Sequence, residues 1–362
     1  MRFGADLSRV PRSRLYTMFG TVLYVEPGSG EVRHGPAETS ATNALFVPDR
    51  ESPGEGQRGW LVHAGKSSAR PVVCAGERCL SEESRGETTF EATMVDSGLL
   101  ALRAEGRFMC AEPDGRITVS RQICGPWEQF LALEEEVVSS DAASVPAAQH
   151  NLTKFHLGCG PLYVPGYLNI DWRQDLPAGA VFQDIEGIAG AFFLNHDLTK
   201  GMPGRDRSLD IVYHCHFLEH LPYLTGLKLL RQLRNRLKPG GLMRLLVPDL
   251  ALWIEHYNCD NTAFFDSYRR SALSGSAFYK TKGSVFMGML HNWEHRCGYD
   301  FETLDWMLGM VGFAEIQRTL FQESKIPGIQ SLEPYSPLRG MESLCVECMR
   351  PYSDPDLVTR EE

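Results

Sequence analysis

The pattern of hydrophobic and polar positions changes once along the chain, near residue 150. Residues 18–136 contain short alternating apolar runs separated by glycine turns, without a helical period. Residues 151–351 contain short apolar runs that alternate with stretches of helical spacing. The pattern predicts an all-β domain followed by an α/β domain. The remaining residues are assigned to tails (1–17 and 352–362) and to a linker rich in Ser and Ala (137–150).

The all-β domain carries a weak internal repeat. Residues 20–47 parallel residues 106–133, and a fainter copy runs from 60 to 90. Three units of about forty residues, which bury their apolar faces only against one another, favour a β-trefoil. The last unit, GRFMCAEPDGRITVSRQICGPWEQF, is similar to the repeats of fascin-like trefoils. The resemblance implies a β-trefoil domain, and the sequence offers no ligand site in it.

In the α/β domain, alternating strands and helices predict a doubly wound, Rossmann-like sheet that ends in an antiparallel hairpin. The first long helix has leucines near helical spacing and stops at Lys238-Pro239-Gly240-Gly241. The predicted strands are 154–157, 167–170, 192–198, 208–214 and 241–247, the predicted helices are 218–237 and 301–311, and the predicted hairpin pairs 313–320 with 343–349.

A glycine turn and a carboxylate mark the predicted ligand crevice. Gly158-Cys159-Gly160 follows the first strand, and Asp171 ends the second. In an open α/β sheet, ligands bind outside the carboxyl ends of the strands, where a carboxylate can accept hydrogen bonds from both hydroxyls of a ribose. Asp171 lies 11 residues after Gly160, and Pro161 and Pro165 leave no room for a regular helix between them. A dinucleotide fingerprint needs a helix and an acid about 20 residues on, so pyrophosphate binding is disfavoured.

Four motifs in order carry a family resemblance: LGCG with a following G-Y-L-N-I-D, then HFLEH, then LKPGG, and finally the closing strands. Residues 154–349 resemble a class I S-adenosylmethionine-dependent methyltransferase of the type 11 group, in the branch with a short L-G-C-G loop. The resemblance implies S-adenosylmethionine as cofactor and methyl transfer as reaction. It also implies a set of cofactor-binding residues: Leu157, Gly158, Cys159, Gly160 and Asp171 at the first two strands, Asp197 and Leu198 beside the adenine, and His214, Cys215 and His216 beneath the methionine end.

One position departs from the wider class I pattern. His156 stands two residues before the first glycine, where an acidic residue usually lies near the methionine ammonium group. Asp184 or a backbone carbonyl would have to make that contact instead. The alternative to an enzyme is therefore a non-catalytic protein whose degenerate methyltransferase domain senses the cofactor or docks partners.

Two stretches share the order H-x-x-E-H, residues 216–220 and 291–295. Elsewhere this order places two zinc ligands on one helical face. The first string lies at a strand-to-helix turn and belongs to the methyltransferase resemblance, which disfavours a zinc hydrolase, and Glu219 is interpreted as a helix cap or turn residue. The second leaves metal-assisted methyl transfer open, although no metal is predicted. Imidazole titrates near neutral pH, so a general base is sought among four residues: His216, His220, His291 and His295.

Acceptor specificity is assigned to the long insert at residues 251–298. It mixes many aromatic residues with Arg269, Arg270, Lys280 and Lys282. This composition favours a small anionic or sugar-bearing acceptor, and the trefoil adds a glycan as a candidate. The alternative is a helical lid whose aromatic side chains only pack against one another.

The net charge and the hydropathy of the chain argue against nucleic-acid and membrane partners, and its cysteines indicate a location. The formal net charge is −10, which argues against nucleic acid as a partner, because phosphate binding needs concentrated Lys and Arg. No apolar run has the length of a membrane span. The ten cysteines lie mostly in apolar segments, which fits reduced thiols and predicts a cytoplasmic protein. Cys345 and Cys348 are expected to point to opposite faces of a strand and to bind no metal.

Overall fold

The computed structural model describes residues 12–36, 43–49, 57–64, 69–81, 88–95, 98–135 and 152–353. The chain divides into two compact units, Met1–Ser140 and Asp141–Glu362. The predicted linker lies outside the described residues, as do residues 1–11 and 354–362 of the predicted tails. Within the described residues, no helix combines the length and the apolar character that a membrane crossing requires.

The described part of the first unit is built of strands. They are β1 (Ser13–Tyr16), β2 (Val22–Val25), β3 (Val32–Gly35), β4 (Ala44–Pro48), β5 (Gln57–Ala64), β6 (Ala69–Ala75), β7 (Arg78–Ser81), β8 (Thr89–Met94), β9 (Leu100–Ala104), β10 (Arg107–Ala111), β11 (Ile117–Arg121) and β12 (Gln129–Glu134). The assignment of residues 12–17 to a tail is wrong, because β1 pairs with β12 and β4 and buries Leu15 completely.

Six of these strands close a ring by antiparallel pairing, in the order β1, β4, β5, β8, β9, β12 and back to β1. The other six form three hairpins, β2 with β3, β6 with β7 and β10 with β11. Each third of the unit thus supplies two ring strands and one hairpin. Apolar residues from all three thirds, including Leu15, Leu61 and Phe130, share one core.

The second unit is an α/β sheet with its helices. Its strands are β13 (Lys154–Leu157), β14 (Leu168–Asp171), β15 (Val181–Gln183), β16 (Phe192–Asn195), β17 (Leu209–Cys215), β18 (Leu237–Pro248), β19 (Ala314–Thr319) and β20 (Ser343–Met349). Its α-helices are α1 (Tyr223–Arg236), α2 (Leu250–Asn258), α3 (Thr262–Ser271), α4 (Lys282–His291), α5 (Phe301–Met310) and α6 (Pro337–Glu342).

The strand order in this sheet is β15, β16, β14, β13, β17, β18, β20, β19. Five neighbouring strands of the sheet, β16, β14, β13, β17 and β18, are parallel, and β20 runs antiparallel to both of its neighbours. The chain builds outward from β13 through β14 to one side, then returns to build β17 and β18 on the other. The topological switch point therefore lies at the carboxyl ends of β13 and β17, where open α/β sheets bind ligands.

Most predicted elements of this unit form within one to three residues of their expected bounds. The main correction concerns helix 218–237, because Leu218–His220 form a separate 3₁₀ turn and α1 begins only after Pro222. The helix also stops earlier, since Leu237 already pairs with Leu209 as part of β18. The insert at 251–298 contains α2, α3 and α4.

Candidate functional site

The turn after β13 depends on two glycines in the left-handed region. Gly158 has φ +56° and Gly160 has φ +52°. A Cβ on Gly158 would lie 2.6 Å from the Phe217 ring, whereas a Cβ on Gly160 would meet nothing within 4 Å. Gly158 therefore allows the loop after β13 to touch the loop after β17. Leu157 before this turn is fully buried, and burial raises the pKa of the Cys159 thiol, so that both act as apolar walls.

Asp171 is held in place beside this turn. Its Oδ2 accepts a hydrogen bond from the Gly160 amide at 2.7 Å, and its Oδ1 accepts one from the Trp172 amide at 2.7 Å. Each carboxylate oxygen has a further lone pair. The side chain is partly exposed at the end of β14. Asp171 is thus a fixed carboxylate that can accept two more hydrogen bonds.

Asp197 and Leu198 lie after β16, one strand further out. The Asp197 carboxylate caps the turn Leu198–Lys200, with its Oδ1 accepting from the Thr199 amide at 3.0 Å and from the Thr199 hydroxyl at 2.6 Å. The hydroxyl bond is the main reason that the pKa of Asp197 is lowered. Leu198 is buried, and the amide of His196 donates to the backbone carbonyl of Asp171 at 2.9 Å. The loops after β14 and β16 are therefore adjacent.

The end of β17 is apolar and uncharged despite its histidine and cysteine. His214 is fully buried, neither ring nitrogen has a hydrogen-bond partner in the part of the chain that the structure describes, and burial lowers its pKa to about 3. Burial raises the pKa of Cys215 to about 12. The imidazole and the thiol are both neutral near pH 7, so they can contribute shape but no charge beneath a ligand.

His216 is a corner residue with one ring nitrogen in a hydrogen bond. It has φ +50°, a backbone conformation that non-glycine residues rarely adopt. Its Nε2 lies 2.8 Å from the Ser343 hydroxyl, and its Nδ1 lies 3.3 Å from Oε1 of Glu219 without a hydrogen bond between them. Burial lowers the pKa of His216 to about 3. The ring is therefore neutral near pH 7, with its Nε2 occupied by Ser343.

Glu219 is a turn residue and not a helix cap, so one of its two interpretations from the sequence is wrong. It lies in the 3₁₀ turn Leu218–His220, the residue before α1 is Pro222, and no described side chain caps this helix. Glu219 is fully buried, neither carboxylate oxygen has a hydrogen-bond partner among the described residues, and burial raises its pKa. Its backbone carbonyl accepts from the amides of Arg296 at 2.7 Å and Cys297 at 3.1 Å. These two bonds fasten the first H-x-x-E-H string to the residues after the second.

The two strings contribute unequally to this corner. His295 Nε2 lies 4.0 Å from Oε1 of Glu219, and the His220 and His295 rings meet edge to face with centroids 4.7 Å apart. His291, the last residue of α4, is exposed and lies outside this group. The first string runs from the end of β17 into a 3₁₀ turn, and the second runs from the end of α4 into another 3₁₀ turn. Neither string therefore presents two histidines on one helical face. One glutamate and two histidines drawn from both strings meet instead.

His156 stands where class I methyltransferases usually have an acidic residue, and its side chain is bonded inside the sheet. The ring is buried, and its Nδ1 lies 3.1 Å from Oδ1 of Asn169 on the neighbouring strand. The proposed substitute, Asp184, follows the edge strand β15, three strands away from β13. Its carboxylate accepts from the amide of Gly190 at 2.6 Å. Asp184 is therefore wrong as the replacement contact at the end of β13.

Most aromatic residues of the insert form a core of their own. Trp253, Phe264, Phe265 and Tyr268 are buried in one cluster, and Trp253 makes edge-on ring contacts with the other three. The basic side chain of Lys282 binds Tyr257 and Asp260. Arg269 binds the carbonyl of Gly275 at 3.1 Å. This part of the insert fits the alternative of a packed helical segment.

No protein-family model and no curated protein matches the chain. Solved structures do match, among them an S-adenosylmethionine-dependent methyltransferase from Archaeoglobus fulgidus at 17% identity, with a TM-score of 0.32 over 57% of this chain and 90% of that one. One from Mesorhizobium loti has 14% identity and a TM-score of 0.31 over 57% and 96%. Another, from Thermotoga maritima, has 19% identity and a TM-score of 0.30 over 54% and 81%. Structural likeness at this level assigns no activity to the chain.

Proposed function

We propose that the second unit binds S-adenosylmethionine and transfers its methyl group to an acceptor. The observation that carries this proposal is Asp171, a carboxylate fixed by two backbone amides beside a left-handed glycine turn, at the switch point of a parallel sheet. The absence of a dinucleotide-type helix after the turn favours a single nucleoside over a pyrophosphate.

The residues at this edge fit the parts of the cofactor. Asp171 has two lone pairs for the ribose hydroxyls, and the Gly158 and Gly160 backbone can approach a ligand closely because it carries no Cβ. Leu198 would give the adenine an apolar neighbour, with the Asp197 carboxylate beside it. His214 and Cys215 would lie beneath the methionine end. Leu157 and Cys159 would complete the wall behind the glycine turn.

The cofactor supplies the electrophilic methyl group, and the chain supplies position and shelter from water. A base is needed only for an acceptor that must lose a proton. His291 is exposed at the end of α4, and Nε2 of His216 is bonded to the Ser343 hydroxyl. Among the four candidate histidines, these observations favour His220 and His295 as the base.

The proposal also covers the methyltransferase group, the fold of the first unit, the acceptor and the cellular location. The type 11 group is supported by the sequence motifs. A β-trefoil for the first unit is supported by its ring of six strands and three hairpins. A small anionic or sugar-bearing acceptor rests on the composition of the insert, of which Arg270 and Lys280 are exposed. A cytoplasmic location is supported by ten free cysteines.

Calorimetric titration of S-adenosylhomocysteine into the full chain tests cofactor binding. We expect Asp171→Ala to weaken binding at least tenfold, equivalent to about 1.4 kcal/mol, because it removes the ribose acceptor and frees the Gly160 amide. Asp175→Ala is the matched control, since this neighbouring carboxylate is exposed and bonded only to Arg173 among described residues. The control should bind within about twofold of wild type.

No binding by the folded wild-type chain would refute the cofactor assignment. Binding without any formation of S-adenosylhomocysteine from S-adenosylmethionine, across hydroxyl, amine and carboxylate acceptors, would instead favour the non-catalytic sensing or docking protein. Turnover thus separates the enzyme from its alternative.

A further inference from the structure

Three side chains with metal-ligating atoms converge next to the proposed cofactor edge. They are Glu219, His220 and His295, and their ligand atoms all lie within 4.8 Å of one another. Glu219 and His220 follow β17 in the 3₁₀ turn Leu218–His220, while His295 comes from the end of the insert. The bonds from Arg296 and Cys297 to the Glu219 carbonyl fix the two segments together.

Within the part of the chain that the structure describes, no hydrogen-bond donor accounts for the burial of the Glu219 carboxyl group, which is 0% exposed. Two ring nitrogens lie close to its Oε1, His216 Nδ1 at 3.3 Å and His295 Nε2 at 4.0 Å. The charge of Arg339 also acts on this group, without an ion pair to it among the described residues. An ionised carboxylate buried without donors is costly, so such a group either takes up a proton or pairs with a cation or a metal ion. The two histidines beside Glu219 make the second arrangement possible here.

The orientation of His295 points to what is missing. Its Nδ1 lies 2.7 Å from the carbonyl oxygen of Met289, which can only accept, so Nδ1 carries the hydrogen. A neutral ring then carries its lone pair on Nε2, the nitrogen that lies 4.0 Å from Oε1 of Glu219. With Glu219 ionised, a positive centre between these two atoms would satisfy both. A ring held by a backbone carbonyl through its other nitrogen is the usual setting of a metal-bound histidine.

We propose that Glu219, His220 and His295 bind one divalent transition-metal ion of the zinc class. Two imidazoles and a carboxylate suit zinc, whereas magnesium and calcium prefer sites made of oxygen. Ligand atoms of a tetrahedral zinc site are about 3.3–3.4 Å apart, given bonds of about 2.0–2.1 Å. Side-chain shifts of roughly 1 Å would close the present spacing. Three protein ligands leave a fourth position open, as in catalytic zinc sites.

The metal site goes beyond the proposed function and stands without it. With zinc bound, neither His220 nor His295 would serve as the general base, because the ion takes the lone pair that a proton would need. Phe217, two residues before Glu219, packs on Gly158 of the glycine turn, so the ion would border the cofactor edge. Its use to hold an acceptor oxygen, nitrogen or sulfur at the open position rests on the proposed methyl transfer. Zinc binding and S-adenosylhomocysteine binding are measured separately, so that failure of one proposal leaves the other intact.

Metal analysis of the full chain tests the site. Protein stripped with a chelator, reloaded with zinc and exchanged into metal-free buffer should retain one zinc per chain. Glu219→Gln, His220→Gln and His295→Gln should each weaken zinc binding at least tenfold while keeping the wild-type circular dichroism. The matched control is His291→Gln, from the same string as His295 but exposed and outside the cluster, and it should retain one zinc. Retention of one zinc by all three cluster variants would overturn the proposal.

A measurement on the wild-type chain keeps the test decisive if a variant misfolds. X-ray absorption at the zinc edge should show two imidazoles and only nitrogen or oxygen neighbours, at about 2.0–2.1 Å. Sulfur neighbours at about 2.3 Å would place the zinc on cysteines and overturn the proposal. A wild-type chain that retains no zinc would also overturn it.

Discussion

At the scale of single residues, the two glycines of the turn after β13 differ in a way that substitution can measure. Gly158→Ala combines left-handed strain with a collision against Phe217, whereas Gly160→Ala meets strain alone. We expect a loss of unfolding free energy of about 1–2 kcal/mol for Gly160→Ala and roughly 2–4 kcal/mol for Gly158→Ala. Urea unfolding measures both. The double variant Gly158→Ala, Phe217→Ala should lose less than the sum of the two single losses, and strict additivity would contradict the collision.

The residues of the predicted cofactor edge could be found in the sequence because they are close in the chain. Gly158, Gly160 and Asp171 lie within one strand-turn-strand unit, so spacing alone brings them together. Glu219 could not be assigned in this way. Its neighbours His295 and Arg296 come from the far end of the insert, and the string around it reads as an ordinary turn. The repeated H-x-x-E-H order was the one available signal, but it suggested two separate sites.

At the scale of elements, a buried ion pair ties the segment between β19 and β20 to the sheet. Arg244 in β18 and Glu333 are both fully buried, and Arg244 Nη2 donates to Glu333 Oε2 at 2.9 Å. Arg244 also donates to the Thr319 hydroxyl at 2.6 Å and to the Leu320 and Glu323 carbonyls at 3.0 Å and 2.9 Å. The Arg244 guanidinium therefore holds the segment between β19 and β20 against β18.

Glu333→Gln should destabilise the second unit by roughly 3 kcal/mol, the lower end of the cost of breaking a buried ion pair. It removes the closer of two buried carboxylates, and Glu347 Oε2 remains 4.0 Å from Arg244 Nη1. The measurement is the free energy of unfolding from urea titration. Lys238→Met is the control, since it breaks a half-exposed pair with Asp210 and should cost less than about 1 kcal/mol. Similar losses in the two variants would show that burial of the pair contributes little.

Strands and helices were largely predictable, and their connections were not. The hairpin of β19 and β20 follows from alternation of apolar residues, yet a segment with α6 and a 3₁₀ turn lies between its strands. Arg244 and Glu333 are 89 residues apart in sequence, so no local pattern announces their pair. Helix α1 was extended too far toward its start because leucine spacing continues through Leu221, although Pro222 separates it from the helix.

At the scale of the whole molecule, each unit has its own hydrophobic core. We therefore expect two thermal transitions in calorimetry of the full chain. S-adenosylhomocysteine should raise only the transition of the second unit, by an amount that grows with the logarithm of ligand concentration. A matched scan of Asp171→Ala should show both transitions with a much smaller ligand shift. A ligand shift of equal size in both transitions would contradict this assignment.

The closed ring of the first unit has a consequence for how such a chain can arise. Its first and last strands are antiparallel neighbours, with Ser13 opposite Glu134. Opposed residues of that kind are about 4.5–5.5 Å apart. The described strands of the unit therefore begin and end at nearly one point, so a gene segment encoding them can be inserted into a host sequence without separating the flanking host residues by more than a few ångströms. Joining these two ends with a short peptide and opening one of the hairpins should likewise give a reordered chain that reaches the same pairing.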